Sequence, residues 1–287
     1  MTTPTTPRRV LLGPRNDRGA NKDVEVPYAP VNGQRLYYED TGGEGPPLVF
    51  SHGFLMDHRM FTPQVEALRD VYRVITWDER GFGATEFDGE PFTYWDAARD
   101  LFGLLDVLGI ERAVLAGMSQ GGYLSLRAAL LQPDRVRALV LIDTQAPPEL
   151  PEKIAEYRVM IDTWVTHGHL EELTSTVAGL IIGDAALEEE WKQIWRGWDH
   201  TRLRAAGSAL LDRDDPSDRL DELSMPVLVV HGTEDSAIPL TRAHELCAAV
   251  EDCRGVIEVA GAAHASSLTH PETVNPPLRA FLESLPA

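Results

Sequence analysis

The run Gly117-Met118-Ser119-Gln120-Gly121, followed at once by Gly122, constrains this chain more than any other feature. Ala113-Val114-Leu115-Ala116 precedes it as a short apolar run of buried-strand type, and residues 123–131 follow as a helix rich in Leu and Ala. A serine between two such elements stands on a sharp strand-to-helix turn, in strained torsions. Side chains at 117 and 121 would collide with the adjoining strand and helix, so glycine is required at both. The helix that starts there also aims free backbone N–H groups at the hydroxyl, where negative charge can be accommodated.

A serine hydroxyl is a poor nucleophile at neutral pH, so this arrangement demands a histidine base and a carboxylate to orient it. Pro226-Val227-Leu228-Val229-Val230-His231-Gly232 is a second apolar strand, ending in the turn Thr233-Glu234-Asp235-Ser236; Asp235 is the expected acid. Val256-Ile257-Glu258-Val259-Ala260 is a last strand, running into Gly261-Ala262-Ala263-His264; His264 is the expected base. Asp143, at the end of the strand over residues 138–142, is an alternative acid, with a capping role as its plainer reading. Glu234 would point away from Asp235 in a tight turn. His52 and His231 each close a strand before a glycine, where histidine usually satisfies backbone groups. His270, before Pro271-Glu272, reads as the entry to the final helix. His167-Gly168-His169 has no carboxylate or cysteine cluster beside it, so no metal ligand set is expected.

Stabilising an oxyanion takes two N–H donors, one from the residue after the nucleophile and one from an early loop. Gln120 supplies the first. The strand over residues 47–52 runs into His52-Gly53-Phe54-Leu55, and the backbone of Phe54 is placed to supply the second.

Taken together, Ser51-His52-Gly53-Phe54, Trp77-Asp78-Glu79-Arg80-Gly81-Phe82-Gly83, Gly117-Met118-Ser119-Gln120-Gly121-Gly122, Leu139-Val140-Leu141-Ile142-Asp143-Thr144, His231-Gly232-Thr233-Glu234-Asp235 and Gly261-Ala262-Ala263-His264 stand in the order and spacing of the α/β-hydrolase fold. The chain resembles that family over residues 24–285, most closely its esterase, lactonase and cofactor-free haloperoxidase branch. The resemblance implies an α/β architecture: a mostly parallel eight-stranded sheet flanked by helices, with a helical cap inserted after the sixth strand. It also implies a catalytic triad in the chain order nucleophile Ser119, acid Asp235, base His264. Haloalkane dehalogenases and most epoxide hydrolases of this fold carry aspartate at the elbow, so Ser119 argues against both.

Alternating strand and helix signals without a linker-like break point to one compact unit. Residues 1–23, rich in Thr, Pro, Arg, Asn and Gly, read as a flexible tail or as an arm onto a neighbouring subunit of a homo-oligomer; their apolar run is too short for an export signal. Residues 24–144 and 217–287 form the two parts of the core, opening with strands over 24–28 and 35–40 joined through Asn32-Gly33. From 145 to 216 no buried strand is expected. Trp164, Trp191, Trp195 and Trp198 fall there among amphipathic helical patterns, four of the chain's six tryptophans, which suggests a broad apolar substrate pocket under a cap. The plainer reading is that the rings pack the cap onto the core; Met160, Leu180 and Ile181 fit core positions equally well.

The formal net charge of −19 would repel nucleic acid and anionic membrane, so the expected partner is a small-molecule ester or lactone and the expected protein soluble. Cys247 and Cys253 are the only cysteines and read as free thiols in a reducing cytoplasm. The expected chemistry is acyl transfer to Ser119, with no metal or organic cofactor. The resemblance extends the substrate range to bulky aromatic macrolactones such as zearalenone, which certain members open. Perhydrolysis or haloperoxidation, carbon–carbon bond hydrolysis, and a ligand receptor that kept the triad are the alternatives.

Overall fold

A computed structural model describes residues 27–286. Among them eight strands form one sheet: β1 (Tyr28–Val31), β2 (Gln34–Asp40), β3 (Pro47–Ser51), β4 (Arg73–Trp77), β5 (Ala113–Met118), β6 (Val136–Ile142), β7 (Val227–Gly232) and β8 (Cys253–Val259). Their spatial order is β1-β2-β4-β3-β5-β6-β7-β8, with β2 antiparallel to both its neighbours and every other pairing parallel. Parallel strands are covered on both faces, which is why they read as continuous apolar runs. Within β5, Val114, Ala116 and Met118 enter one core while Ala113 and Leu115 enter the other.

Helices α1 (Thr62–Leu68), α2 (Tyr94–Val107) and α3 (Gln120–Leu131) interleave with the first six strands. Between β6 and β7 lie α4 (Pro151–His167), α5 (Glu171–Ile181), α6 (Ala185–Arg196) and α7 (Leu203–Leu211), a helical cap inserted after the sixth strand. Helices α8 (Leu240–Ala249), α9 (Ser266–Thr269) and α10 (Pro271–Glu283) complete the chain. Residues of α2, α3 and α8 cover one face; α1, α10 and the inserted helices share the core on the other. After β3 the chain winds to one side through β4 and returns to the other through β5, so the strand order reverses at the β3–β5 boundary. Ligands of open α/β sheets bind outside the carboxyl ends of the strands at such a reversal.

The tail expected over residues 1–23, and most of the first expected strand over 24–28, lie outside the described residues. The hairpin itself is present but shifted: β1 extends through Pro30, and Asn32 and Gly33 form the turn with positive φ at both positions (47° and 81°). Pro30 fits because Arg35, opposite it, makes its backbone bonds to Glu86 instead.

Cys247 and Cys253 are not free thiols. They form a disulfide with Cα atoms 5.4 Å apart. Helix α8 ends at Ala249 and β8 starts at Cys253, so the chain reversal brings its last turn against the first residue of the strand. The argument for a reducing compartment loses its support. No helix among the described residues is long and apolar enough to cross a membrane.

Candidate active site

Ser119 occupies the turn between β5 and α3 with φ 51° and ψ −112°, a conformation that costs a non-glycine residue on the order of 1–3 kcal/mol. The surroundings leave it no alternative. Its N–H donates to the carbonyl of Ile142 (2.9 Å) and its carbonyl accepts from Thr144 Oγ1 (2.8 Å). A Cβ at Gly117 would overlap the Gly121 carbonyl, and one at Gly121 would overlap the carbonyl of Ser51 on β3. Both glycines are therefore steric requirements of the elbow.

The three side chains singled out in the sequence come together. Ser119 Oγ–H donates to His264 Nε2 (2.9 Å), and His264 Nδ1–H donates to Asp235 Oδ2 (2.7 Å). This assignment of the imidazole proton follows from the acceptors on either side. All three residues are buried, Ser119 and His264 retaining a few per cent of exposure toward the cavity. Burial by itself would raise the Asp235 pKa, but the charge of His264, hydrogen bonds from His231 and His264 and the Ile238 N–H outweigh it and hold the carboxylate well below its usual range. Its Oδ1 accepts from the N–H groups of Ala237 and Ile238, both at 2.9 Å. For His264 burial lowers the pKa, and the Asp235 carboxylate more than reverses this, leaving the imidazole above its ordinary value.

Asp143 does not reach His264. It ends β6 with φ 46° and is fully buried. One oxygen accepts the Gly232 N–H (2.8 Å); the other accepts the N–H and hydroxyl of Ser266 (2.9 and 2.7 Å). The carboxylate thus ties the loop carrying Asp235 to the loop carrying His264. Burial, only partly offset by His231, pushes its pKa up to about 6. His231 satisfies a backbone group, as its place before a glycine suggested, with its Nε2–H on the Ile238 carbonyl (2.8 Å); its approach to Asp235 Oδ2 (3.3 Å) is a contact that the sequence did not signal. The ligating atoms of Asp143, His231 and Asp235 lie within 4.8 Å of one another, but these same bonds occupy both carboxylates.

The backbone N–H groups of Phe54 and Gln120 donate to no acceptor among the described residues; Phe54 lies in the loop after β3, and Gln120 opens α3 directly after Ser119. Phe54 is held in a turn closed by Met56 N–H on the Gly53 carbonyl (3.0 Å), with Leu55 at φ 63°. Glu234 is exposed, and His270 caps α10, as the sequence suggested. His169 sits beside Glu171 and Arg196 at the surface.

A cavity of about 70 Å³ opens onto Ser119 and His264. Its apolar walls include Phe54, Met160, Leu180 and Ile181. The four cap tryptophans do not line it, which corrects their expected place as substrate contacts. Trp164, Trp191 and Trp195 are buried in the core shared by cap and sheet, and Trp198 packs edge-on against Phe82. Trp195 packs edge-to-face against Trp164, with centroids 5.4 Å apart, and its Nε1–H donates to the Leu55 carbonyl (2.6 Å). For Trp195 the core position satisfies the indole N–H as well as burying the ring. The residues that do line the polar side of the cavity, Tyr123, Glu149 and Tyr157, are spread along the chain with no local pattern to mark them.

A family model of the alpha/beta hydrolase fold matches residues 46–271. The chain belongs to that family. This α/β hydrolase is 29% identical over 274 residues to a non-heme chloroperoxidase of Streptomyces lividans, covering 88% of this chain and 98% of the relative. Among solved structures it is similar to a thermophilic esterase from Thermogutta terrifontis (TM-score 0.82, 28% identity, 89% of this chain and 97% of that one). It is equally similar to the enol-lactonase from Burkholderia xenovorans (TM-score 0.82, 27% identity, 90% and 100%). The protein is an α/β-fold hydrolase.

Proposed function

We propose that this hydrolase cleaves carboxylic esters or lactones through an acyl-enzyme on Ser119. The observation that carries the reading is the unbroken relay from Ser119 through His264 to Asp235, opening into an apolar cavity. Ser119 Oγ attacks the carbonyl carbon while His264 Nε2 takes its proton, and Asp235 holds the imidazole tautomer and stabilises the imidazolium. Negative charge developing on the carbonyl oxygen is met by the N–H groups of Phe54 and Gln120, with the N-terminus of α3 behind the second. His264 then returns the proton to the departing alkoxide. Water, deprotonated by the same imidazole, attacks the acyl-enzyme and releases the acid. In a lactone the freed hydroxyl stays tethered to that acid.

In this reading residues 145–216 act as a cap that excludes water from the acyl-enzyme. The cavity bears on substrate size. Pockets for drug-sized ligands span roughly 300–1,000 Å³, well above the 70 Å³ here, so compact acyl groups fit as the molecule stands. A macrolactone such as zearalenone would require the cap helices to move apart. Names of relatives support both esterase and lactonase activity, and the chloroperoxidase relative favours a second reading in which peroxide intercepts the same acyl-enzyme.

The test is Ser119→Ala, assayed on a panel of aryl esters and lactones with the fold checked by circular dichroism. Turnover should fall by at least about a thousandfold with the spectrum unchanged. Ester hydrolysis at the wild-type rate in the purified variant would refute the reading.

A further inference from the structure

The cavity beside Ser119 carries one carboxylate among its apolar walls. Glu149 stands on the segment between β6 and α4, with its side chain 11% exposed. Its Oε1 accepts from Gln145 Nε2 (2.7 Å) and faces Arg213 Nη2 at 3.6 Å. Its Oε2 has no hydrogen-bond partner among the described residues. Tyr123 and Tyr157 line the cavity with it, and the Arg213 guanidinium stacks over the Tyr123 ring at 4.1 Å. Arg213 is fastened by the carbonyls of Leu210 and Pro147, which fixes Glu149 against it. Oε2 is reached by solvent, so water can satisfy it, and an occupant that displaces that water must bring a donor of its own or leave the carboxylate oxygen unpaired.

We infer that Glu149 is a specificity-determining residue which accepts a hydrogen bond from a hydroxyl group of the substrate, so that hydroxyl-bearing esters are preferred over their deoxy counterparts. The inference rests on reading the cavity as the ester-binding site. A neutral donor suits the site better than a cation, because Arg213 already compensates the carboxylate and Lys153, beside Tyr157, adds a second positive charge nearby. Rings from Phe54, Tyr123 and Tyr157 border the same space, so the hydroxyl is presented on a compact apolar or aromatic body.

The experiment compares para-nitrophenyl esters in matched pairs of equal heavy-atom count, one acyl chain ending in a hydroxyl and the other in a methyl, together with pairs that carry the hydroxyl on the alcohol side. In the wild-type enzyme one hydroxyl member should exceed its methyl partner by about 10- to 100-fold in kcat/KM. That ratio should fall to about one in Glu149→Leu and survive in part in Glu149→Gln, whose amide oxygen still accepts. Ser119-dependent turnover with no hydroxyl preference in any wild-type pair overturns the inference and leaves the esterase reading standing. So does a preference that persists in Glu149→Leu. Absence of turnover on every ester would overturn both.

Discussion

The loops at the carboxyl ends of the strands and the four inserted helices are held in place in different ways. In the loops, Ser119, Asp143, Asp235 and His264 are buried and joined by short hydrogen bonds that run from one loop to the next. In the cap, by contrast, ion pairs join the exposed Glu171 of α5 to Lys192 and Arg196 of α6, with the exposed Glu189 of α6 pairing to the same two cations, and solvent screens these charges. The helices meet the reactive loops at three points. Trp195 Nε1–H donates to the Leu55 carbonyl, Lys153 reaches the carbonyls of Ser236 and Ala237, and the Ala265 N–H donates to the Ile181 carbonyl (2.7 Å). The loops that carry Phe54, Asp235 and His264 thus each receive a tie from the cap. In the proposed reading this is a division of labour: the sheet holds the reacting groups in a buried network, and the cap governs access and fit through a few discrete anchors.

Three substitutions sharpen this contrast. In the rigid region Asp235→Asn should have the largest effect, lowering kcat by about 10⁴-fold, because an amide that donates to His264 stabilises the wrong tautomer. Asp143→Asn should cost far less in turnover while lowering the melting temperature, since its carboxylate accepts three bonds between loops without touching the imidazole. The reverse ranking in a side-by-side assay would make Asp143 the acid and break the assignment. On the cap side Trp195→Phe keeps a ring in the core but removes the N–H that fixes the turn carrying Phe54. We expect kcat to fall by about tenfold with KM nearly unchanged, as for a lost oxyanion contact made only in the transition state. A rise in KM alone would show that Trp195 serves only to pack the cap.

The same division explains what was legible in the sequence. The elbow could be read because only glycine fits at 117 and 121 against backbone atoms, a constraint written in adjacent residues. Asp235 and His264 could be found because each follows an apolar strand directly, and parallel topology sends those strand ends to one edge. The cap tryptophans misled because amphipathic periodicity marks a buried face without saying what it is buried against. The disulfide escaped because α8 and β8 reverse direction between the two cysteines, a contact that spacing does not encode. Glu149, Tyr123 and Tyr157 meet only through the tertiary fold, and nothing local distinguishes them from surface or core residues of the same type.

The central claim, that His264 activates Ser119, is tested most directly by the rate at which a fluorophosphonate labels the enzyme as pH is varied, with the adduct located by peptide mass spectrometry. Only neutral His264 can accept the serine proton, and Asp235 holds its pKa above the ordinary value of about 6.5. Labelling should therefore fall on Ser119, be slow in acid, and rise with pH through a midpoint above that value. An adduct on another residue, or labelling of Ser119 at a rate indifferent to pH across this range, would contradict the account.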